Sequence, residues 1–238
     1  MPTIRLPIYL PNWIHRPVRR VADQIRGIRT DRLNLSGDRD VEVSFIAGHL
    51  PAGPGQALDF GCGPGFLSLL TAERGYEVTA VDLSQPTLPW RSPHVRFVQG
   101  DILKLDLHDN SFDVIVNCSA IEHVGLAGNY GIAEQRDDGD LEAMARMRDL
   151  MKPGGVNLLT TPCGRDSVFS PAFRVYGSLR LPRLLNGYRV EREQYWIKDQ
   201  QNRWGESDQA TAFDFEPHAD LDRPYFSMFA LGCFVLRK

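Results

Sequence analysis

No stretch of this 238-residue sequence approaches the ~20 consecutive apolar residues that a membrane-crossing helix needs. There is no internal repeat and no low-complexity tract. Cysteine is scarce and scattered: Cys62, Cys118, Cys163 and Cys233 form no C-x-x-C pair. That excludes a disulfide framework and a zinc spacing, and it suits a reducing cytoplasm. Neither sign of charge dominates, since the formal net charge is only -3, so nucleic acid is not expected as the main partner. Residues 1–13 are apolar, but Pro2, Pro7 and Pro11 interrupt them and no charged leader precedes them, so no signal peptide is expected. These absences point to a soluble, cytoplasmic globular protein.

What is present fits one large α/β domain with terminal additions. A hydrophobic fraction of 42% and a charged fraction of 24% are ordinary for a chain of this length, which can bury a real core. The N-terminal segment is locally basic, with Arg5, Arg16, Arg19, Arg20, Arg26, Arg29 and Arg32, and reads as a solvated helix face. Residues 17–50 read as helical segments broken near Ser36-Gly37-Asp38, and a Pro51-Ala52-Gly53-Pro54-Gly55 turn follows. The expected division is a helical extension or cap over 1–52 and the main domain over 53–238.

From Gln56 onward, short apolar runs alternate with helical stretches. Strands are expected at 57–60, 77–81, 94–98, 112–117 and 156–161, with helices at 66–74 and 140–151. That alternation implies βαβ units, and hence a Rossmann-like, seven-stranded, mostly parallel sheet with helices on both faces. Residues 188–198 and 225–237 read as an antiparallel pair at the C-terminal edge. The long polar loop between them, with Trp204, Phe213, Phe215 and His218, reads as a substrate lid or a disordered segment.

The chemistry starts at Asp59-Phe60-Gly61-Cys62-Gly63-Pro64-Gly65, where the first strand hands over to the first helix. Glycines let a ligand approach the backbone, and the helix N-terminus offers free N–H groups. The dinucleotide fingerprint G-x-G-x-x-G fails from Gly61, because Phe66 takes the third glycine's place. Asp59 would repel a pyrophosphate but can hold an ammonium group. Asp82, after the second strand and next to Leu83, can accept from both ribose hydroxyls. Asp101-Ile102, after the third strand, can reach an adenine amino group.

The D-x-G-x-G-x-G turn, the acid after strand two and the Gly100-Asp101-Ile102 turn resemble the class I S-adenosylmethionine-dependent methyltransferases. The fourth strand's F-D-V-I-V-N, ending at Asn117 before Cys118, and Met151-Lys152-Pro153-Gly154-Gly155 match as well. The resemblance implies S-adenosylmethionine as cofactor and S-adenosylhomocysteine as product. A second, narrower resemblance rests on Glu122-His123-Val124-Gly125-Leu126, Asn129-Tyr130-Gly131, Asp138-Gly139-Asp140-Leu141 and Phe173-Arg174-Val175-Tyr176-Gly177. It is to a bacterial methyltransferase-like family of formerly unknown function, associated with sugar and cell-surface glycan genes. It implies O-methylation of a sugar or glycan hydroxyl.

An acceptor hydroxyl must lose its proton during attack, and histidine suits that task. His123 is the expected base, with Glu122 or Asp140 orienting it. In many such enzymes the same E-H pair merely orders the loop, and that role stays open. Tyr130, Asp140, Arg174, Tyr176 and His218 are the candidate acceptor contacts, while Tyr195, Trp196 and Trp204 offer aromatic platforms where packing is the competing role. Some related O-methyltransferases bind a divalent cation through a glutamate three residues before the E-H pair. Here Ser119 takes that place, Asp138 or Asp140 would have to substitute, and no metal is assigned. The alternatives are a methyltransferase for a small phenolic or other secondary metabolite, a non-catalytic cofactor-binding partner and an NAD-dependent oxidoreductase.

Overall fold

The computed structural model describes residues 38–86, 91–128, 130–198, 203–218 and 229–238. The basic N-terminal stretch lies outside these residues, as do residues 225–228 of the strand expected over 225–237.

The described chain opens with α1 (Asp38–His49), starting at the sequence break near Asp38. Then follow β1 (Gly55–Phe60), α2 (Phe66–Glu73), β2 (Tyr76–Asp82), β3 (Val95–Gln99) and β4 (Phe112–Cys118). A short 3-10 turn at Ile121–His123 precedes α3 (Gly139–Leu150) and β5 (Met151–Cys163). A hairpin of β6 (Ser167–Phe169) and β7 (Phe173–Val175) leads to α4 (Arg180–Leu184), β8 (Arg189–Lys198) and β9 (Trp204–Ser207). Helix α5 (Gln209–Asp214) and strand β10 (Ala230–Arg237) finish the chain.

The main sheet runs β3-β2-β1-β4-β5-β10-β8-β9. Its first five strands are parallel, and the last three join antiparallel. β1 and β4 each contain four consecutive buried residues, as strands covered on both faces must. Period-two alternation sorts those residues. Leu58, Phe60 and Ile115 pack against Met144, Met147 and Leu150 of α3, while Ala57, Val114 and Val116 pack against Phe45 and Ile46 of α1 and Leu67 of α2.

The sheet has one strand more than the seven expected. Its C-terminal strand β10 lies inside, between β5 and β8, and β9 forms the edge. The additional strand comes from the segment read as a loop. Trp204–Ser207 pairs with β8, and Asp208 then caps α5 by accepting the Thr211 N–H at 2.8 Å. Ala212 of α5 is fully buried, and Phe213 packs edge-on against Tyr195 at 5.6 Å. This stretch is therefore part of the domain body and not a lid. Among the described residues, no helix is long and apolar enough to cross a membrane.

Candidate active site

The sheet order reverses between β1 and β4, and open α/β sheets bind ligands in the crevice at such a switch point. Pairing Phe60 with Val81 and Asn117, and Asp82 with Gln99, brings these strand ends level on one side. A cavity of about 860 Å³ opens there, within the range for small-molecule sites. The glycine turn, the acids after β2 and β3, the turn after β4 and α1 all contribute to its wall.

The glycine turn is built from left-handed residues. Gly61, Gly63 and Gly65 have φ of 66°, 49° and 74°. A Cβ at Gly61 would collide with the Ala120 side chain, so this position admits only glycine. A Cβ at Gly63 would meet nothing within 4 Å, because that residue opens onto the cavity. The turn is fastened by Gly61 and Cys62 N–H donating to the Val81 carbonyl at 2.9 and 3.1 Å, and by Gly63 N–H donating to Asp82 Oδ2 at 3.0 Å.

Asp59 is buried, yet lines the cavity and accepts from Ser68 Oγ at 2.5 Å. Burial raises its pKa to about 6; the Asp82 charge adds to that, and the Ser68 bond opposes it. Asp101 Oδ1 accepts from Leu103 N–H at 3.0 Å, and its side chain is 30% exposed. Ile102 is nearly inaccessible to solvent behind it, while Leu83 is partly exposed. Burial pushes the Cys62 and Cys118 thiols up to about 12, so neither is a thiolate at neutral pH. Of the sequence-named cofactor candidates, Asp59, Gly61, Cys62, Gly63, Asp82, Leu83, Asp101, Ile102 and Cys118 line the cavity. Gly65 does not, and shapes the turn from behind with its N–H on the Cys62 carbonyl at 2.8 Å. Asn117 is fully buried with its amide toward the Met144 and Met147 sulfurs.

His123 also lines the cavity, its side chain 26% exposed. Its Nδ1 lies 2.5 Å from the Ala172 carbonyl oxygen. A carbonyl only accepts, so this contact assigns the proton to Nδ1 and leaves the lone pair on Nε2. Burial lowers the His123 pKa, helped by the Arg39 and Arg174 charges and opposed by the Ala172 bond. Glu122 Oε1 is 3.8 Å from Nε2, and burial pushes this carboxyl up to about 7. Tyr130, with φ 49°, sets its ring edge against the His123 ring at 5.3 Å and is 53% exposed at the cavity rim.

The other expected acceptor contacts lie elsewhere. Arg174, Tyr176 and Asp140 are buried and do not line the cavity. Tyr176 donates to Asp140 Oδ2 at 2.9 Å, and Arg180 Nε donates to the same oxygen at 2.9 Å. Arg174 donates to the Val124 carbonyl at 2.6 Å and to the Arg136 and Asp137 carbonyls at 3.2 Å each. These residues staple both ends of the 124–137 loop, whose middle faces the cavity. The partner that orients His123 is thus the Ala172 carbonyl, not Asp140. His218 is exposed and stands off the cavity wall. Trp204 packs against the core, with Lys198 Nζ 5.1 Å from its ring, so its role is packing. Asp138 is held by Arg180 and Arg183, and among the described residues no group of three or more His, Cys, Asp or Glu is arranged to hold a metal ion.

Sequence reasoning missed Arg39 and Val43 of α1, and Ile132, Ala133, Glu134 and Arg136 of the loop, all on the cavity wall. Nothing in their spacing marks them. Ala172 acts through its backbone, which no side-chain pattern reveals.

Comparison with known proteins shows what this chain is similar to. Residues 58–159, the span from β1 into β5 that builds this cavity, match the family described as "Methyltransferase domain". The central part of this chain is thus similar to that domain. It is 34% identical over 94 residues to a Bacillus subtilis protein described as "Putative methyltransferase YqeM", covering 37% of this chain and 38% of that protein. It is 32% identical over 159 residues to a malonyl-[acyl-carrier protein] O-methyltransferase of Pectobacterium atrosepticum, covering 62% and 58%. A cypemycin N-terminal methyltransferase of Streptomyces is 30% identical over 122 residues, covering 49% and 46%. The chain thus spans between 38% and 58% of the length of these curated relatives. Among solved structures, the 1,6-didemethyltoxoflavin-N1-methyltransferase of Burkholderia thailandensis, bound to 1,6-didemethyltoxoflavin and S-adenosylhomocysteine, superposes with a TM-score of 0.53. That pair is 20% identical, covering 99% of this chain and 93% of the other. The [4+2]-cyclase SpnF superposes with a TM-score of 0.56 at 15% identity, covering 95% and 94%. This chain therefore shares its fold with proteins of more than one chemistry, and the reaction must be argued from the site.

Proposed function

We propose that this chain is an S-adenosylmethionine-dependent O-methyltransferase acting on a hydroxyl of a sugar or glycan, with His123 Nε2 as the general base. The observation that carries this reading is a single cavity lined by the glycine turn, Asp82, Asp101 and a histidine with its lone pair on Nε2. The residues present fit the cofactor: Gly61 admits no side chain, Gly63 faces open space, and Asp59, Asp82 and Asp101 bring carboxylates to the cavity that suit an ammonium, a ribose and an adenine amino group.

When bound, S-adenosylmethionine supplies a methyl group on a sulfonium whose departure needs no protonation. Asp59 would hold the ammonium group beside Gly61, Cys62, Gly63 and Gly65. Asp82 would hold the ribose next to Leu83, and Asp101 the adenine, with Ile102 packing on it and Asn117 and Cys118 backing the floor. Much of the rate in such a displacement comes from positioning. Tyr130 would contact the acceptor at the rim. His123 would take the hydroxyl proton on Nε2, its ring fixed by the Nδ1–H bond to Ala172 and flanked by Glu122. A lowered imidazole pKa keeps Nε2 unprotonated at neutral pH, as a base requires.

The choice of oxygen rests on His123 and on the narrower sequence resemblance. The relatives named above include both an O-methyltransferase and N-methyltransferases. We also place the division at 52/53, with α1 the described part of an N-terminal cap that lends Arg39 and Val43 to the cavity. The four free cysteines, three of them buried, suit the proposed cytoplasmic location.

The test is calorimetric titration with S-adenosylhomocysteine and, separately, NADH, repeated on Asp82→Ala, followed by an acceptor screen starting with sugars. Micromolar binding of the first ligand alone, lost in Asp82→Ala, supports the cofactor assignment; binding of NADH, or of neither, overturns it. With an acceptor in hand, His123→Gln should reduce kcat by roughly 10²–10⁴-fold while S-adenosylhomocysteine still binds. Parental turnover in that variant would remove His123 as the base.

A further inference from the structure

The cofactor site leaves one buried acid of α1 unexplained. Glu42 is only 1% exposed, at the carboxyl ends of β4 and β5. Its Oε1 accepts from the Ser119 hydroxyl and from Thr160 Oγ1 at 3.1 Å, and its Oε2 lies 2.9 Å from Arg39 Nη1. A carboxylate is taken out of water only against such partners. Residue 42 also lies outside the span that matches the methyltransferase domain, so that match assigns it no role.

What Glu42 grips is the start of the turn that carries His123. Ser119 has φ 42°, a left-handed backbone that a residue with a side chain keeps only under restraint. Its N–H donates to the Thr160 carbonyl at 3.0 Å, so the main chain ties it to β5 and the side chain ties it to α1. Four residues on, His123 N–H closes the 3-10 turn on Ala120, and its ring bonds Ala172. The same helix sets the Arg39 guanidinium on the cavity wall, 3.5 Å from Cys118 Sγ. The groups that face the imidazole are Glu122 of its own turn, the Tyr130 ring, the Ala172 carbonyl, and the charges of Arg39 from α1 and Arg174 from β7. Both arginines disfavour the imidazolium, and Glu42 is ion-paired with the first of them.

We propose that Glu42 is a positioning residue for His123, acting through Ser119 on the turn that aims the imidazole and through Arg39 on the positive charge the imidazole faces. This rests on the reading of His123 as the base, but the test reads the imidazole itself.

The experiment is an NMR titration of the histidine side chains in the full chain saturated with S-adenosylhomocysteine, for the parent, Arg39→Gln, Glu42→Gln and Ser119→Ala. Arg39→Gln should raise the His123 midpoint and Glu42→Gln should lower it, each on the order of half a pH unit. Opposite signs are the signature, because a residue that merely docks α1 would not move the midpoint in opposite directions. Ser119→Ala leaves Glu42 with Thr160 and Arg39, and should speed solvent exchange of the Nδ1 proton several-fold. If Glu42→Gln does not fold, Arg39→Gln and Ser119→Ala still decide. A folded Glu42→Gln with an unmoved or raised midpoint overturns the proposal, as does parental Nδ1 exchange in Ser119→Ala. Failure of the base reading is separate: turnover by His123→Gln would remove it and leave the titration result standing.

Discussion

Replacing Gly61 and Gly63 separately by alanine should divide the glycine turn into a residue the fold needs and a residue the ligand needs. Both sit at positive φ, where a Cβ costs about 1–2 kcal/mol. At Gly61 the new methyl also runs into the Ala120 side chain, and forcing a methyl into a packed position adds about 1–3 kcal/mol. Gly61→Ala should therefore lose about 2–5 kcal/mol of stability, a fall in Tm on the order of 10 °C for a domain of this size. At Gly63 nothing lies within 4 Å, so Gly63→Ala should lose only about 1–2 kcal/mol, or a few degrees. Its methyl would instead stand in the cavity, close to where the cofactor must approach the backbone. Tenfold weaker binding of S-adenosylhomocysteine corresponds to about 1.4 kcal/mol, and Gly63→Ala should lose at least that. Thermal unfolding without ligand and calorimetric titration separate the two effects. Equal Tm losses in the two variants, or parental affinity in a folded Gly63→Ala, would refute the steric assignment of this turn.

Binding of S-adenosylhomocysteine should release protons near pH 6, because an ammonium group beside Asp59 draws its pKa of about 6 back toward the ordinary 3.8. Titrations at pH 6 in buffers of different ionisation enthalpy should show this release, and the same pair at pH 8 should not; no release at pH 6 would move the ammonium elsewhere. Glu122 holds its proton more tightly folded, at about 7, than its ordinary 4.5. Its contribution is therefore fully present below about pH 4.5 and lost as pH rises through 7, on the order of 3 kcal/mol. Urea unfolding should show Glu122→Gln gaining on the parent between pH 5 and pH 8, and a gap independent of pH would contradict the burial argument. Arg174→Met should cost about 3–5 kcal/mol, since it strips three carbonyls and the Asp140 carboxylate of a buried guanidinium 3.9 Å from that acid. Tyr176→Phe, which removes one hydrogen bond to Asp140, should cost about 1–3 kcal/mol, and a larger loss there than in Arg174→Met would reverse the hierarchy assigned to this network.

The parallel half of the fold was legible because it is written in local chemistry. Buried runs such as Ala57–Phe60 end at glycines or acids, and each helix begins where the period changes. The antiparallel half was half-legible. β8 and β10 carry strand-like runs, but Trp204–Ser207 is too short and polar to read as a strand until β8 supplies its partner. The cap signal at Asp208 with Thr211 was present in the sequence and was overlooked inside a segment read as loop. Within the site, the acids at strand ends could be found because strand position alone places them on the cavity side. Arg174, Asp140 and Tyr176 read as acceptor contacts in the sequence, because polarity does not say whether a group faces ligand or backbone, and in the structure they lie off the cavity. Here Arg174 spends its donors on the Val124, Arg136 and Asp137 carbonyls, a role that only the folded loop makes visible.

That distinction also bears on where acceptor choice is encoded. The proposed cofactor wall is built from the ends of β1, β2 and β3 and their turns, whose lining residues all lie within 58–159, and a fold shared with an N-methyltransferase and a cyclase cannot select the acceptor. The rest of the lining draws on Arg39 and Val43 from outside that span and on the loop from Val124 to Arg136. Arg174 pins both ends of this loop while Tyr130 stays half-exposed at its middle, so its base is fixed and its tip can vary without disturbing the core. Substitutions at Ile132 and Glu134 should then change which acceptor is used and leave S-adenosylhomocysteine affinity within about threefold, because both belong to the loop and not to the glycine turn or its acids. Tenfold loss of S-adenosylhomocysteine binding in a folded Ile132→Ala would show that the two parts of the lining are not separable, and that acceptor choice has to be sought on the cofactor side as well.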